Sequence, residues 1–380
     1  MANEAELFGL PQVLINFRTQ GTTAIKRSAR GIVAMILHDG SKNEIQQFRI
    51  SDTTDIPDEI LSAKSVELVK LCLKGTPLRV LLYVIPEVGT EVEPDGHLTD
   101  QNDVLDLIQA VKWNWICNPT STGTEQADLS SWVITQRNNK RKTFKAVCAK
   151  QAADNEGVVN FCTDDIVAEN GTDENGDPVY TTYNAVQYTA RIAGILAGLA
   201  LDRSATYFSL TEVQSVESYT DIEERIDKGQ LLLFDEQDGN GVKIARACNS
   251  LTTFTTDKGE DFRYIKIIEA LDMITDDIRD TFKKYYVGKV INDYNHKMLF
   301  ITAVLVYFDE IKGNVLDRDG KNTVDIDEQA QLNYAKLHGE KTEDMSAMEI
   351  RKYNTGTKIM LTGNIKPVNA MEDLTINFTM

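Results

Sequence analysis

A clear helix pattern is followed directly by a clear strand pattern in DEILSAKSVELVKLCLKGTPLRVLLYVI (residues 58–85). In residues 58–74, apolar side chains recur at the spacing of one helix face, and Gly75 and Pro77 then end the helix. Residues 79–85 form a continuous apolar run, which is typical of a strand that is buried on both faces. The stretch therefore predicts a helix that packs on a buried sheet.

The same alternation extends on both sides of this stretch. Buried strands are predicted at residues 31–37, 113–119 and 142–149, and helices at residues 100–112, 124–138 and 183–200. Strands and helices in alternating order predict an α/β body with a mostly parallel, helix-covered sheet. A polar loop is predicted at residues 166–182, and a hairpin at residues 230–248 around Asp238-Gly239-Asn240-Gly241.

Two glycines lie on one face of the predicted helix at residues 183–200. Gly194 and Gly198 are four residues apart, which permits either a close helix–helix crossing or close packing on the sheet. We favour the sheet as their partner, because an α/β core needs such contacts.

The pattern changes after about residue 250. Helical spacing is present at residues 262–287, 293–312 and, in a short charged segment, 345–353, and strand-like alternation returns at residues 357–367. The fold class is therefore α/β in the body and α+β overall. We predict an N-terminal arm (1–20), an α/β core domain (21–250), a helical C-terminal domain (251–356) and a strand pair with a C-terminal arm (357–380).

Both ends of the chain have the period-two pattern of a strand. The apolar side of residues 11–19 carries Val13, Ile15 and Phe17, and that of residues 372–380 carries Leu374, Ile376 and Phe378. A strand needs a neighbour for its backbone N–H and C=O groups, whereas most chain termini are loose and polar. The two ends therefore predict strands that pair with another subunit.

The composition indicates an acidic protein. The 380 residues include 40 Lys and Arg and 58 Asp and Glu, which gives a formal net charge of −18. This charge argues against nucleic acid and anionic membranes as partners, because both are negative. The longest apolar run, residues 298–308, is too short to span a bilayer, and the N-terminus has no signal-peptide pattern. We expect synthesis in a cytoplasm.

Signals for catalysis or cofactor binding are weak. After residues 79–85, where a dinucleotide cradle would follow, the chain has no G-x-G-x-x-G and several carboxylates. Residues 317–328 resemble a calcium loop, but Lys321 stands where a ligand oxygen is needed. The five cysteines are widely spaced in apolar stretches, which predicts reduced core residues. We predict no enzyme activity, cofactor or metal; the alternative is a soluble α/β enzyme whose site comes from scattered residues.

Four stretches in order carry a resemblance to a known family: residues 9–37, 190–207, 224–255 and 354–380. The last, NTGTKIMLTGNIKPVNAMEDLTINFTM, is similar nearly residue for residue to the ending of contractile tail sheath proteins. These proteins occur in phages and in phage-tail-like bacteriocins. Larger members carry extra domains where residues 86–98 and 166–182 are predicted loops, so the chain resembles a compact form.

The resemblance implies a structural protein. Sheath subunits form six-membered rings that stack as a helix around a tail tube and contract to drive the tube through a bacterial envelope. The implied partners are copies of the chain itself, the tail tube protein, and baseplate and tail terminator proteins. The implied location is a phage tail or phage-tail-like particle, made in the bacterial host cytoplasm. The alternative within the same machine is a baseplate or tube component.

The resemblance also implies which residues act in assembly. Residues 11–19 and 372–380 become donor strands, and residues 357–366 become part of the acceptor, with Ile359, Leu361 and Ile365 as its apolar side chains. In the family a helix of the C-terminal domain meets the tube, which points to residues 345–354. The candidate contacts there are Glu349, Arg351 and Lys352, whose basic members suit an acidic tube surface. The alternative is that they are ordinary solvated residues.

Overall fold

The computed structural model describes residues 25, 30–39, 45–86, 91–92, 97–98 and 100–379. These residues divide into two compact units. The larger unit holds the described residues from Arg30 to Asp277, Lys312–Gly320 and those from Lys366 onward, and the smaller holds Ile25, Ile278–Ile311 and Lys321–Ile365. The sequence-based domain boundaries stay predictions.

The larger unit contains most of the strands and the first helices. Its strands are β1 (Ile32–His38), β2 (Gln46–Ile50), β3 (Arg79–Ile85), β4 (Glu91–Val92), β5 (His97–Leu98), β6 (Trp115–Cys117), β7 (Lys145–Ala149), β8 (Val158–Phe161), β9 (Ile166–Thr172), β10 (Pro178–Tyr183), β11 (Val213–Ser215), β12 (Gln230–Leu231), β13 (Leu233–Asp235) and β14 (Val242–Ile244). Its helices are α1 (Ala63–Leu73), α2 (Gln101–Ile108), α3 (Gly123–Lys140), α4 (Ala185–Gly198) and α5 (Ile222–Asp227), with short 3₁₀ helices at Thr53–Asp55 and Glu260–Arg263.

Helix α6 (Ile265–Tyr285) begins in the larger unit, and its residues from Ile278 onward belong to the smaller one. The smaller unit then contains α7 (Tyr294–Glu310), β15 (Thr323–Ile326), α8 (Glu328–Leu337), α9 (Ala347–Lys352) and β16 (Leu361–Asn364). Helix α8 has no counterpart in the sequence-based prediction.

A seven-stranded sheet with the order β12-β8-β7-β6-β1-β3-β2 organises the larger unit. All of its neighbouring strands are parallel except β2, which runs antiparallel to β3. Helices α1 and α4 pack on one face, and α2 and α3 on the other. The predicted mostly parallel, helix-covered sheet is therefore confirmed.

Alternate side chains of β1 belong to two separate cores. Val33, Met35 and Leu37 pack in the core that includes α1 and α4. Ala34 and Ile36 pack in the core that includes α2 and α3. All five are fully buried, which explains why β1 is a continuous apolar run instead of an alternating one.

The two glycines of α4 make a helix–helix contact, so the preference for the sheet as their partner is wrong. A Cβ atom on Gly194 would lie 2.0 Å from the carbonyl oxygen of Cys72, and one on Gly198 would lie 2.0 Å from that of Gly75. The backbone at the C-terminal end of α1 therefore approaches α4 closely enough to exclude any side chain at either position.

The stretch predicted as one polar loop is instead the antiparallel hairpin β9–β10. Its tight turn is organised by Asp173, whose carboxylate accepts hydrogen bonds from the backbone N–H groups of Asn175 and Asp177. Ile166 and Ala168 are buried, whereas the half of the hairpin near the turn is exposed. The polar composition reflects that exposure. It also conceals the alternation of apolar and polar residues from which a strand is predicted.

Two further predictions for this unit are confirmed. Strands β13 and β14 form the hairpin around Asp238-Gly239-Asn240-Gly241. All five cysteines are free and buried. No helix within the described ranges is both long and apolar enough to cross a membrane.

Candidate assembly interface

The smaller unit contains a two-stranded antiparallel sheet, β15–β16. Thr323 lies opposite Asn364, Ile326 lies opposite Leu361, and the Asp327 N–H continues the ladder by one hydrogen bond. In the described part of the chain, neither strand has a second strand partner. A sheet of two strands is marginal in water, and its edges present unpaired N–H and C=O groups. This sheet therefore offers edges to which further strands can be added.

A glycine permits the close pairing of these two strands. A Cβ atom on Gly363 would lie 2.3 Å from the carbonyl oxygen of Thr323. The acceptor strand predicted at residues 357–366 is shorter in the structure, because only Leu361–Asn364 is a strand. Ile359 and Ile365 flank it and are half-buried.

Buried polar side chains hold the segment that leads into β16. The Lys297 ammonium, 2% exposed, donates to Gln331 Oε1 at 2.7 Å, to the Tyr353 carbonyl at 3.2 Å and to Thr355 Oγ1 at 3.3 Å. Burial lowers the pKa of Lys297. The Gln331 amide also donates to the Ile350 carbonyl at 3.0 Å. The network ties α7, α8 and the end of α9 to the segment before β16, and sequence reasoning missed it.

Arg351, one of the candidate tube contacts, is held within the smaller unit. Its guanidinium donates to Asp325 Oδ1 at 2.6 Å and to Glu328 Oε1 at 3.0 Å. The hydrogen bond from Arg351 lowers the pKa of Asp325, which lies in β15. Arg351 therefore joins α9 to the strand pair.

The other two candidate tube contacts differ from each other. The Glu349 carboxylate accepts from the Ser346 N–H at 2.8 Å and completes the capping box of α9. Lys352 is exposed, and its ammonium lies 5.8 Å from the centre of the Tyr294 ring. Lys352 makes no ion pair with a carboxylate among the described residues. Glu349 is exposed as well, but its carboxylate is engaged in the cap, so Lys352 is the exposed candidate that has no partner of opposite charge among the described residues.

The C-terminal segment is anchored in the larger unit from Lys366 onward. The Lys366 ammonium lies 2.7 Å from Asp317 Oδ2. Pro367 forms a β-bridge with Leu316, and the next N–H, of Val368, donates to the Val315 carbonyl at 2.9 Å. These contacts fix the path of the chain just after the smaller unit ends.

A second anchor follows, which we call the clasp: Ser204, Thr206, Arg246, Glu372 and Asp373. Glu372 Oε1 accepts from Ser204 Oγ and Thr206 Oγ1, both at 2.8 Å. Arg246 Nη2 donates to Asp373 Oδ1 at 2.6 Å, and Arg246 Nε lies 3.5 Å from Glu372 Oε2. The clasp holds the chain immediately before the predicted donor side chains.

Beyond the clasp the chain is exposed. Leu374, Ile376 and Phe378 are 84%, 58% and 87% exposed, and residues 368–379 form no strand. The strand predicted at residues 372–380 is therefore not formed in the single chain, since it has no neighbour for its backbone groups. The N-terminal donor, with Val13, Ile15 and Phe17, lies outside the described residues.

The larger unit contains a network of buried charges. The Lys145 ammonium lies 3.1 Å from Glu269 Oε1 and 3.0 Å from Asp272 Oδ2. Arg30 pairs with Glu269, and Arg137 with Asp272. Burial by itself would raise the pKa of both carboxylates. The opposing effect of the Lys145 charge, together with Arg30 at Glu269 and Arg137 at Asp272, is greater, so both pKa values are lowered. The matched charges are typical of a structural ion-pair network. Nowhere in the described residues are three His, Cys, Asp or Glu side chains grouped to hold a metal ion.

Two family models match the chain. Residues 97–250 match the phage tail sheath protein central domain. Residues 257–380 match the phage tail sheath C-terminal domain. Together the two models cover more than half of the chain.

Individual relatives agree with these models. The chain is 33% identical to the tail sheath protein of Clostridium phage phiCD119, over 98% of this chain and 99% of that protein. A sheath tail protein from Desulfitobacterium hafniense has a similar structure, with a TM-score of 0.63 and 20% identity over 83% of this chain and 94% of that one. The helical sheath of the anti-feeding prophage in its contracted state gives a TM-score of 0.66 at 14% identity, over 98% and 99% of the two chains.

At their low identities the two solved structures show a shared fold. The family models and the full-length phage relative show family membership as well, because they match the sequence of the chain. The chain therefore belongs to the phage tail sheath protein family and is a structural component of a phage tail or tail-like particle.

Proposed function

We propose that the chain polymerises as stacked hexameric rings around a tail tube, and that the resulting sheath contracts to drive the tube through a bacterial envelope. The observation that carries the proposal is the two-stranded β15–β16 sheet in a chain whose last apolar alternating segment is exposed. The solved anti-feeding prophage sheath, which shares the fold, is helical and contracted. Assembly takes place in the host cytoplasm. Baseplate and tail terminator proteins lie at the two ends of the polymer.

Strand exchange links the subunits in this proposal. The C-terminal strand, residues 372–380, and the N-terminal strand, residues 11–19, add to the β15–β16 sheet of neighbouring subunits. Each added strand pairs its backbone with an edge that has no partner in the described part of one chain. The two-stranded sheet thereby gains the strands that it needs for stability.

The free energy of binding of one arm is small, and that of many arms together is large. Burial of three apolar side chains contributes at most about 5–9 kcal/mol. Ordering eight or nine residues costs about 1–2 kcal/mol per residue, and a few backbone hydrogen bonds offset part of that at about 0.5–1.5 kcal/mol each. One arm therefore binds weakly by itself. Two arms per subunit, repeated around a lattice, bind strongly through effective concentration, and their covalent links keep the subunits connected when the bodies move.

We infer that α9 meets the tube. Lys352 presents its charge to solvent, and that charge suits an acidic tube surface. Glu349 and Arg351 act indirectly, since the first caps α9 and the second fixes the helix to β15 and α8.

Substitutions in the C-terminal strand test the exchange. We expect Ile376→Asp and Phe378→Asp to abolish the formation of sheath tubes by the purified chain, because a charge would enter the shared apolar face. The matched control is Thr379→Asp, on the opposite side of the strand, which should leave assembly intact. Negative-stain micrographs and sedimentation report assembly, and thermal melting confirms that the body is folded. Normal tubes formed by Phe378→Asp would contradict strand exchange.

A further inference from the structure

A cavity of about 420 Å³ lies in the larger unit, at the amino ends of three neighbouring parallel strands. Gly31, Leu78 and Asn114 line it where β1, β3 and β6 begin. The end of α4 with the loop that follows it, and the first turns of α6, complete the wall. Its volume lies within the range of small-molecule sites, about 300–1,000 Å³. Neither the proposed strand exchange nor the proposed tube contact uses this cavity.

Most of the cavity wall is apolar. Its large apolar side chains are Leu78, Leu196, Leu199, Leu201 and Ile265. Leu78 is 52% exposed and Ala200 is also exposed, so the cavity opens to solvent on that side. An apolar wall binds water poorly and suits the apolar body of a ligand.

Two buried donors at the cavity have no acceptor. Trp115 is 1% exposed, and its indole Nε1 has no hydrogen-bond partner among the described residues. The same holds for Nη1 of Arg30, although Nη2 of that guanidinium donates to Glu269. Buried N–H groups normally have an acceptor. An acceptor oxygen on a ligand would supply what these two groups lack.

A buried ammonium group also lacks a counterion. Lys266 is 7% exposed, and its Nζ donates to the Val368 carbonyl, but it makes no ion pair with a carboxylate in the described part of the chain. Burial lowers the pKa of Lys266, and the more distant charges of Asp202 and Glu372 oppose that effect. An ammonium has three donors, and a buried charge without a counterion is unfavourable.

The charges that line the cavity do not balance. Glu269 is the one carboxylate among the described lining residues, and it is already matched by Arg30 and Lys145. Arg203 lines the cavity as well and makes no ion pair with any described residue. Lys266 and Arg203 therefore give the cavity an excess of positive charge.

We propose that this cavity binds a small monocarboxylate with an apolar body, of the size of a medium-chain acyl carboxylate. The carboxylate accepts hydrogen bonds from Lys266, Arg30 and Trp115, and the apolar body lies against the leucine side chains. A neutral apolar ligand would leave the ammonium without a counterion, and a small inorganic anion would leave the apolar wall uncovered. The site is separate from the assembly interface.

Calorimetric titration of the full chain tests the ligand class with three probes. We expect saturable binding of one decanoate per chain, binding of 1-decanol that is weaker by at least about tenfold, and no binding of inorganic phosphate. Equal affinity for decanoate and 1-decanol would reject recognition of the charge. Binding of phosphate alone would reject the apolar part of the site. Absence of decanoate binding would overturn the proposal and leave the cavity to water.

Two variants locate the binding site. Lys266→Met should raise the Kd for decanoate at least about tenfold, whereas Lys64→Met, which removes an exposed lysine of α1 outside the cavity, should not change it. Ala200→Trp should block the mouth of the cavity and also weaken binding, whereas Ala152→Trp, at an exposed position away from it, should not. Thermal melting confirms that each variant is folded. Unchanged affinity in both folded cavity variants would place decanoate elsewhere and overturn the proposal. Loss of tube formation by Ala200→Trp, in a chain that binds no decanoate, would assign the cavity to a second copy instead.

Discussion

The seven-stranded sheet and the β15–β16 sheet differ in how much of their pairing one chain supplies. In the large sheet each inner strand has two neighbours, and helices cover both faces. In the small sheet each strand pairs only with the other among the described residues, and Thr362–Asn364 is exposed. Among the described residues, the five inner strands of the large sheet are paired on both sides, and we call the larger unit the complete region. Each strand of the small sheet has an open edge, to which the proposed exchange would add a strand of another chain. Stability and assembly can therefore be disturbed separately.

The charged groups show the same contrast. Around Lys145 the large unit buries a matched set of ions. Around Arg351 the smaller unit has an ion pair whose carboxylate partners are half exposed. Loss of a buried partner leaves an uncompensated charge in the interior, whereas water replaces a lost partner at the surface.

The largest expected effect is on the complete region. Lys145→Met should lower the free energy of unfolding by about 3–5 kcal/mol, because the Glu269 and Asp272 carboxylates would stay buried without it. Urea unfolding measures the change. Lys228→Met removes an exposed Lys–Glu pair and should leave the unfolding midpoint unchanged. Equal effects of the two substitutions would contradict a structural role for the buried network.

The next effect separates stability from assembly. Gly363→Val should cost about 1–3 kcal/mol through overpacking, since its Cβ atom would meet the Thr323 carbonyl at 2.3 Å. We expect loss of tube formation, measured by sedimentation, while the larger unit keeps its melting transition. Thr362→Val, an exposed neighbour on β16, is the control and should assemble. Normal assembly of Gly363→Val would show that the β15–β16 register is not needed.

The large sheet could be predicted from sequence because burial on both faces produces unbroken apolar runs. β1 and β3 are such runs, and both were found. The β9–β10 hairpin was missed because its exposed half is polar, which hides the period of two. The partner of Gly194 and Gly198 could not be predicted, since the backbone near Cys72 and Gly75 reaches them only through the tertiary fold.

The candidate interface was predicted in part. Leu361 lies in a strand as expected, whereas residues 372–379 form none in the single chain, and the donor and acceptor roles stay predictions. The burial of Lys297 was missed because lysine is rarely buried, and no local pattern marks its neutral oxygen partners. The sequence alone predicts Arg351 to be a surface cation, because its partner Asp325 is 26 residues away along the chain.

A smaller effect is expected at the clasp, which joins the exposed arm to the complete region. Glu372→Ala removes the acceptor of Ser204 and Thr206, and we expect a loss of about 1–2 kcal/mol for docking of the arm. Limited proteolysis around Met371–Asp373 should become faster while the body melts normally, and tubes should form at higher protein concentration. Thr375→Ala, beyond the clasp, is the control. An unchanged rate of cleavage would show that the clasp does not hold the arm.

The smallest effect distinguishes the two cations of α9. Arg351→Met should lower stability by less than about 1 kcal/mol, because its partner Asp325 is half exposed and screened by water. The pKa of Asp325 is lowered in the folded chain, so the pair stabilises the fold above the ordinary carboxyl pKa of about 3.9. The stability difference from Arg351→Met should therefore persist at neutral pH and shrink as the pH falls through the lowered value.

Lys352→Met should leave the Tm unchanged and weaken binding to tail tubes in a co-sedimentation assay. The reverse pattern, a lower Tm from Lys352→Met with unchanged tube binding, would move the tube contact away from α9.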